Sequence, residues 1–299
     1  MTAGTGNTNT PSPGQVPSVP CWRCRDRRLL LGRPLVMGIL NVTPDSFSDG
    51  GRHHAFEAAV AHGRSLAAAG ADIIDIGGES TRPGAQPVSR DEEAARVVPV
   101  IRALAQATPV PLSVDTRHAA VARAALAAGA SIVNDVEGLV DPEMASAVRE
   151  AGAGAVVMHM QGAPQTMQQA PVYDDVVEEV YAWLLGRVAA LTAAGLDAAT
   201  LVIDPGIGFG KTREHNLALL GSLRRFAGMG PPVLVGLSRK RMVGEITGAP
   251  VEDRLAGSLA GLVWCVWQGA SILRVHDVRE SVAALRMATA LAARQPEAG

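Results

Sequence analysis

The sequence predicts an α/β protein, a single-domain (β/α)8 barrel of the TIM type, and three observations predict it. From about Arg33 onward, short runs rich in β-branched residues alternate with longer Ala- and Leu-rich stretches of helical period. Eight strand–helix repeats can be counted in this part of the 299-residue chain, and an eight-fold barrel typically needs about 250 residues. Several helical stretches end in Ala-Gly-Ala or Gly-Ala, with glycine placed to stop the helix and turn into the next strand. A doubly wound open sheet is the alternative. It usually has fewer repeats and a recognisable phosphate turn after its first strand.

In chain order the strand candidates are PLVMGILN, ADIIDIGG, PLSVDT, SIVNDV, AGAVVMHM, TLVIDPG, PVLVGLS and SILRVHD. A helix candidate follows each, such as FEAAVAHGRSLAAAG after the first and DVVEEVYAWLLGRVAALTAAG after the fifth. The seventh helix, RLAGSLAGLVWCVWQGA, has no charged residue from Leu255 to Trp267. A helix apolar all round should be covered on both sides. One face is expected on the barrel and the other in a homodimer interface, with Trp264 or Trp267 at or near it; the alternative is that the tail or a long loop covers it. Residues 1–20, rich in Thr, Pro, Gly and Ser, read as a disordered tail, and 21–296 as the barrel domain.

Composition narrows the function classes. A net charge of −2 with no basic run argues against nucleic acid as the main partner. No apolar stretch reaches membrane-spanning length and the N-terminus lacks signal-peptide order, so a cytoplasmic protein is expected. Of the three cysteines, Cys265 lies in an apolar helical run, while Cys21 and Cys24 form a lone C-x-x-C. With no second pair, a zinc site is not expected, and the two read as reduced surface thiols.

In such a barrel the chemistry sits at the C-terminal ends of the strands and in the loops after them. Those ends carry Asn41, Glu79 with Thr81 and Arg82, Asp115, Asn134, His159, Asp204, Ser238 with Arg239 and Lys240, and Arg274 with His276. A single Asp after a strand is more often a helix cap, but capping does not account for Asn134, Arg274 and His276 together. Asp115, Asn134, Asp204 and Lys240 suit the edge of a flat aminopyrimidinone: carboxylates accept paired N–H bonds, an amide both donates and accepts, and an ammonium donates to a ring carbonyl or nitrogen. The alternative for Asp204 and Lys240 is a plain buried ion pair. Arg274 and His276, with Ser238 and Arg239, make a cationic cluster on the last two strands, where these barrels bind phosphate. Two polar loops, NVTPDSFSDGG and GGESTRPGAQPVS, read as lids, and an oxygen ligand in the first could hold a Mg²⁺ shared with phosphate.

The stretch IDPGIGFGKTREHN imitates a phosphate cradle but is not one. Gly206 and Gly210 are separated by three residues where a Walker loop needs four, and Lys211 stands where the dinucleotide pattern needs its third glycine. It reads as a glycine-rich turn after a strand, headed by Asp204. Its glycines are expected to let the backbone and Phe209 approach a flat substrate.

Eight segments in order, VMGILNVTPDSFSDGG, AGADIIDIGGESTRPGA, SVDT, IVNDV, MHMQG, IDPGIGFGKT, GLSRKR and GASILRVHDV, resemble the dihydropteroate synthases, the pterin-binding barrel family of folate synthesis. The resemblance runs from about Arg33 to His276. It implies condensation of a dihydropterin diphosphate with p-aminobenzoate, release of diphosphate, Mg²⁺ as cofactor and a dimer. It implies pterin contacts at Asp115, Asn134, Asp204 and Lys240, a metal ligand at Asn41, and diphosphate contacts at Asn41, Thr81, Arg274 and His276. It also implies an aminobenzoate site shaped by Arg82, Pro83 and Phe209, and chemistry assisted by Lys240, Arg274 and His276. One position departs from the family pattern: Arg241 stands where relatives often carry Ser. Two rivals are a pterin-dependent methyltransferase, which needs no diphosphate grip, and a non-catalytic pterin-binding paralogue.

Overall fold

A computed structural model describes residues 20–42, 51–79 and 88–293, without the side chains of 51–53. The expected eight parallel strands are all present. They are β3 (Leu35–Asn41), β4 (Ile73–Gly77), β5 (Leu112–Asp115), β6 (Ile132–Asp135), β7 (Gly154–Met158), β8 (Leu201–Asp204), β9 (Leu234–Val235) and β10 (Ile272–Val275). They pair in the order β8-β7-β6-β5-β4-β3-β10-β9. The ring closes where Ile203 bridges Val233 in parallel and the Ile203 N–H donates to the Pro232 carbonyl at 2.9 Å. Strands buried on both faces have near-continuous apolar sequence, as a parallel barrel requires.

Alternation along each strand sorts the apolar residues into two cores. One face packs under the helices, with Val36, Leu40, Ile74, Ile76, Val114, Val133 and Leu273. The other fills the barrel, with Leu35, Met37, Ile73, Ile132, Val156, Val202, Leu234 and Ile272. Helices wrap the outside: α1 (Gly51–Ala68), α2 (Arg90–Ala107), α3 (Ala119–Ala128), α4 (Pro142–Ala151), α5 (Val176–Ala193), α6 (Arg213–Gly221) with α7 (Leu223–Ala227), α8 (Arg241–Thr247) with α9 (Leu255–Trp267), and α10 (Val278–Ala292). Their ends follow the sequence signals. Ser89 and Asp141 cap α2 and α4 by accepting from Glu92 N and Glu143 N, and Gly152 closes α4 in the left-handed conformation.

Two features differ from the sequence reading. Regular pairing in β9 covers only Leu234–Val235 rather than the whole of PVLVGLS; at the start of that segment Pro232 brings no N–H to the ladder. The C-x-x-C is not a pair of surface thiols. Cys21–Cys24 (β1) and Arg27–Leu30 (β2) form an antiparallel hairpin in which Trp22 and Cys24 are fully buried. Both belong to the interior cluster of the barrel. Successive strand residues face opposite ways, so Cys21, on the other face, cannot join Cys24 on one ion, and burial raises the Cys24 thiol pKa.

The hairpin plugs the end of the barrel opposite the chemical mouth. Trp22 donates its indole N–H to the Thr200 carbonyl at 2.8 Å, just before β8 begins. Its turn puts Arg25 at φ 61, a conformation unfavourable for a side chain. Three bonds hold it there: Arg25 N to Gly152 O at 2.8 Å, and Nη1 to the carbonyls of Leu126 and Ala130 at 2.9 and 3.0 Å. Trp22→Ala is expected to cost about 3–5 kcal/mol, the usual range for emptying a buried aromatic site. Urea unfolding followed by circular dichroism checks this, and a loss below about 1 kcal/mol would remove the hairpin from the barrel core.

Candidate active site

Polar residues replace the apolar filling at the C-terminal end of the barrel. The inward positions that hold Ile73, Ile132 and Ile272 lower down hold Asp75, Asn134 and Arg274 one inward step further along the same strands. Arg274 donates from Nε to Asp75 Oδ2 and from Nη2 to Asp115 Oδ2, both at 2.6 Å. Asn134 donates from Nδ2 to the same Asp75 Oδ2 at 3.1 Å. Gly236 and Gly77 lie alongside this bridge: a Cβ on either would make ordinary contact, 3.5 Å from Arg274 Cβ and from Asp115 Cβ respectively. Burial pushes the Asp115 carboxyl up to about 7, against the pull of Arg274 and with the help of Asp75.

Asp204, at the end of β8, accepts from Gly206 N at 2.7 Å and is raised by burial, which Lys240 opposes. Lys240 is brought down to about 8 by burial, with Asp204 opposing. Among the described residues no direct ion pair joins them. Lys240 donates to the Ile207 carbonyl, and its ammonium lies 4.6 Å from the centre of the Phe209 ring. The glycines of GIGFG answer to protein backbone as much as to any ligand. Gly206 and Gly210 have φ of 71 and 62, and a Cβ there would sit 1.8 Å from the His159 carbonyl oxygen and 2.3 Å from that of Gln161. The turn is thus pressed onto the loop after β7. Its Lys211 is buried beneath, donating to Phe209 O at 2.9 Å and lying 3.0 Å from His159 Nδ1.

The rest of the expected set divides. Ser238 Oγ accepts from His276 N and lies 3.2 Å from its Nδ1. Arg239, grouped with the cationic cluster from sequence, is paired instead with Asp277, its Nε donating at 2.9 Å, and holds φ 56. Glu79 turns to Arg117 at 3.1 Å and accepts from Val88 N at 3.2 Å. Asn41 ends β3, half-buried, in register with Gly77 of β4. Arg241 stands in the solvent, its side chain 85% exposed and paired with Glu245 at 2.6 Å. Thr81, Arg82, Pro83 and the two expected lids from 43–50 and 80–87 lie outside the described residues.

Sequence reasoning missed Asp75 and Lys211. It looked at strand ends, whereas Asp75 sits mid-strand between Ile74 and Ile76. A lone acid in an apolar parallel strand, on the alternate that faces inward, was the available signal. Lys211 was read only as the residue that breaks the dinucleotide pattern of the glycine-rich turn.

An eight-stranded barrel with this polar mouth defines a class. The sequence signature of the family described as "Pterin binding enzyme" matches residues 37–276, and the chain belongs to that family. The dihydropteroate synthase of Escherichia coli K12 is 50% identical over 260 residues, covering 87% of this chain and 92% of that one. A Xanthomonas albilineans dihydropteroate synthase structure with 4-aminobenzoic acid matches with TM-score 0.88 at 52% identity, over 93% of this chain and 100% of that one. Another from the same organism, in complex with 7,8-dihydropteroate, matches with TM-score 0.85 at 49% identity, over 92% and 100%.

Burial brings Lys211 down to about 7, with Asp204 opposing and Lys240 assisting. Between pH 7 and 9 the unfolded chain therefore keeps a proton that the folded chain gives up, and stability from this group rises with pH. The stability difference, wild type minus Lys211→Met, is expected to grow by about 2 kcal/mol over that window, at 1.36 kcal/mol per pKa unit. Urea unfolding at the two pH values measures it. A flat difference would mean that Lys211 stays charged in the folded protein.

Proposed function

We infer that this chain is a transferase of folate synthesis, condensing 6-hydroxymethyl-7,8-dihydropterin diphosphate with p-aminobenzoate to give 7,8-dihydropteroate and diphosphate. The observation that carries it is the convergence of Asp115, Asn134, Asp204, Lys240 and Arg274 at the mouth of a barrel half-identical to known dihydropteroate synthases. On this reading Asp204 and Asp115 accept from ring N–H groups, Asn134 reads the same edge, and Lys240 donates to a ring carbonyl or nitrogen. The face of Phe209, with Arg82 and Pro83, shapes the aminobenzoate site. Arg274 and His276, with Asn41 and Thr81, receive the diphosphate, and the charge growing on it as it leaves is what Arg274 and His276 stabilise. The aniline nitrogen then bonds to the methylene carbon that the diphosphate has left, and gives up one proton to solvent.

The donor set also suits magnesium. Among the described residues no cluster of three or more His, Cys, Asp or Glu could cage a metal. A single amide oxygen at Asn41 suits an ion that keeps waters and takes other ligands from substrate phosphate. When bound, the metal neutralises charge on the diphosphate. A cytoplasmic location goes with this reading, because three unpaired cysteines belong in a reducing compartment, and no described helix is long and apolar enough to cross a membrane. Mixing the two substrates with Mg²⁺ is expected to release diphosphate and form dihydropteroate, and binding without release would overturn the assignment. Asp204→Asn is expected to weaken dihydropterin binding by about 1.5–3 kcal/mol, the worth of a charge-assisted hydrogen bond. Calorimetry checks it, and unchanged affinity with unchanged melting temperature excludes the ring-reading role.

The second part of the proposal is a two-fold dimer through α9. Ser258, Leu262 and Cys265 face the barrel, while Trp264 and Trp267 are left 48% and 46% exposed. Beside them runs an apolar groove of about 320 Å³, lined among others by Leu217, Leu220, Met242 and Ile246. Trp264 satisfies its N–H on Leu220 O at 3.1 Å, so its exposed part is apolar. A second copy of the chain is the occupant that suits a self-complementary strip of aromatic and small residues. Light scattering is expected to show a dimer that Trp264→Glu or Trp267→Glu dissociates. A monomeric wild type, or two dimeric variants, would take α9 out of the interface.

A further inference from the structure

Asp75 has no part in the reading above, yet two residues assigned to the substrate hang from it. It sits in the middle of β4, fully buried. A single atom, Oδ2, accepts from Arg274 Nε at 2.6 Å and from Asn134 Nδ2 at 3.1 Å. Arg274 is 199 residues away in sequence and Asn134 is 59 away, so the contact is made only when β10, β4 and β6 are assembled in one curved sheet. Oδ1 is buried with no hydrogen-bond partner among the described residues.

Two consequences follow from this one acceptor. The first concerns polarity. An amide can turn over, exchanging its N–H groups for its carbonyl, and a ring edge is read correctly in only one of the two orientations. An oxygen already accepting from a guanidinium cannot face a carbonyl, so Asn134 must turn its nitrogen to Asp75. Its Oδ1 and its remaining N–H are left for the ring. The second concerns exchange of partners. Asp115 is bound to Arg274 at 2.6 Å, but it is also the carboxylate offered to the pterin. When the ring claims Asp115, Arg274 keeps Asp75, which can hold its cation inside the barrel. Without that second anchor the guanidinium would lose its place just as the leaving group needs it.

We propose that Asp75 is a positioning residue of the active site: it sets the polarity of the Asn134 amide and holds Arg274 in place while Asp115 is given over to the substrate ring. This rests on the pterin reading, and the test separates the two. Calorimetry with 6-hydroxymethyl-7,8-dihydropterin, which lacks the diphosphate, reports on Asn134; single-turnover rates with the diphosphate substrate report on Arg274. Asp75→Ala is expected to lower dihydropterin affinity at least about tenfold, the loss of a buried hydrogen bond to a charged group. In an Asn134→Ala background the same change should cost less than about twofold, because contacting residues are not additive. Asp75→Asn keeps an acceptor oxygen but no charge. It is expected to bind dihydropterin within about threefold of wild type while its single-turnover rate falls at least about tenfold, a split that general loss of structure does not produce. Wild-type protein that does not bind dihydropterin overturns the pterin reading and this proposal with it. Wild-type binding with additive effects at Asp75 and Asn134 overturns the proposal alone. So does Asp75→Asn with an unchanged rate, which decides the matter even if Asp75→Ala does not fold.

Discussion

Two carboxylates on adjacent strands, Asp75 and Asp115, point into the same barrel interior and can be kept there only with a cation between them. Arg274, from β10 on the other side of β3, is that cation. Arginine suits the task because its guanidinium stays charged and offers donors at fixed angles to two acceptors at once. Such a bridge is poor evidence of stability in itself, since desolvating three charges consumes much of what their attraction supplies. What it provides is placement. It ties β4, β5 and β10 together at the mouth, and through Asp75 it reaches Asn134 on β6. Four strands are thereby registered to one another where a flat ligand would lie.

The opposite side of the mouth is built by a different means. There the turn after β8 folds onto the loop after β7 so closely that two positions admit no side chain. The Lys211 ammonium fills the space beneath, taking carbonyl oxygens for partners instead of a carboxylate. Lys240 is similarly bound to a carbonyl and set over the Phe209 ring. Both lysines are brought down towards neutrality by burial, although Asp204 stands near each of them. Groups whose charge responds to pH thus stand on both sides of the mouth, Asp115 beside the Arg274 cation and the two lysines around Asp204. The barrel's other end is sealed by Trp22 and Cys24, which leaves one open face for chemistry.

Most of the fold was legible because each signal was local. The short β-branched apolar run in VMGILN and the helical period of the stretches between strands are properties of short segments, and the glycines at helix ends report their own backbone angles. Asn134, Asp204, Lys240 and Arg274 were legible for the same reason, being polar residues at or near the ends of apolar strands. Arg239 misled because its cluster was inferred from adjacency along the chain. Its real partner, Asp277, begins the helix after the next strand. Cys21 and Cys24 misled because a spacing motif says nothing of which face of a strand each residue takes.

The sequence by itself determined the number of strands, their alternation with helices, and the polar character of one end of the barrel, because these depend on residue type and short spacing alone. Tertiary structure decided which charges meet. Whether Arg274 faces Asp75, Asp115 or a ligand, whether Asp204 pairs with Lys240, and whether Trp22 is surface or core all depend on contacts between residues far apart in sequence. Only the closed ring of strands, with its fixed stagger, brings those side chains within hydrogen-bonding reach of one another.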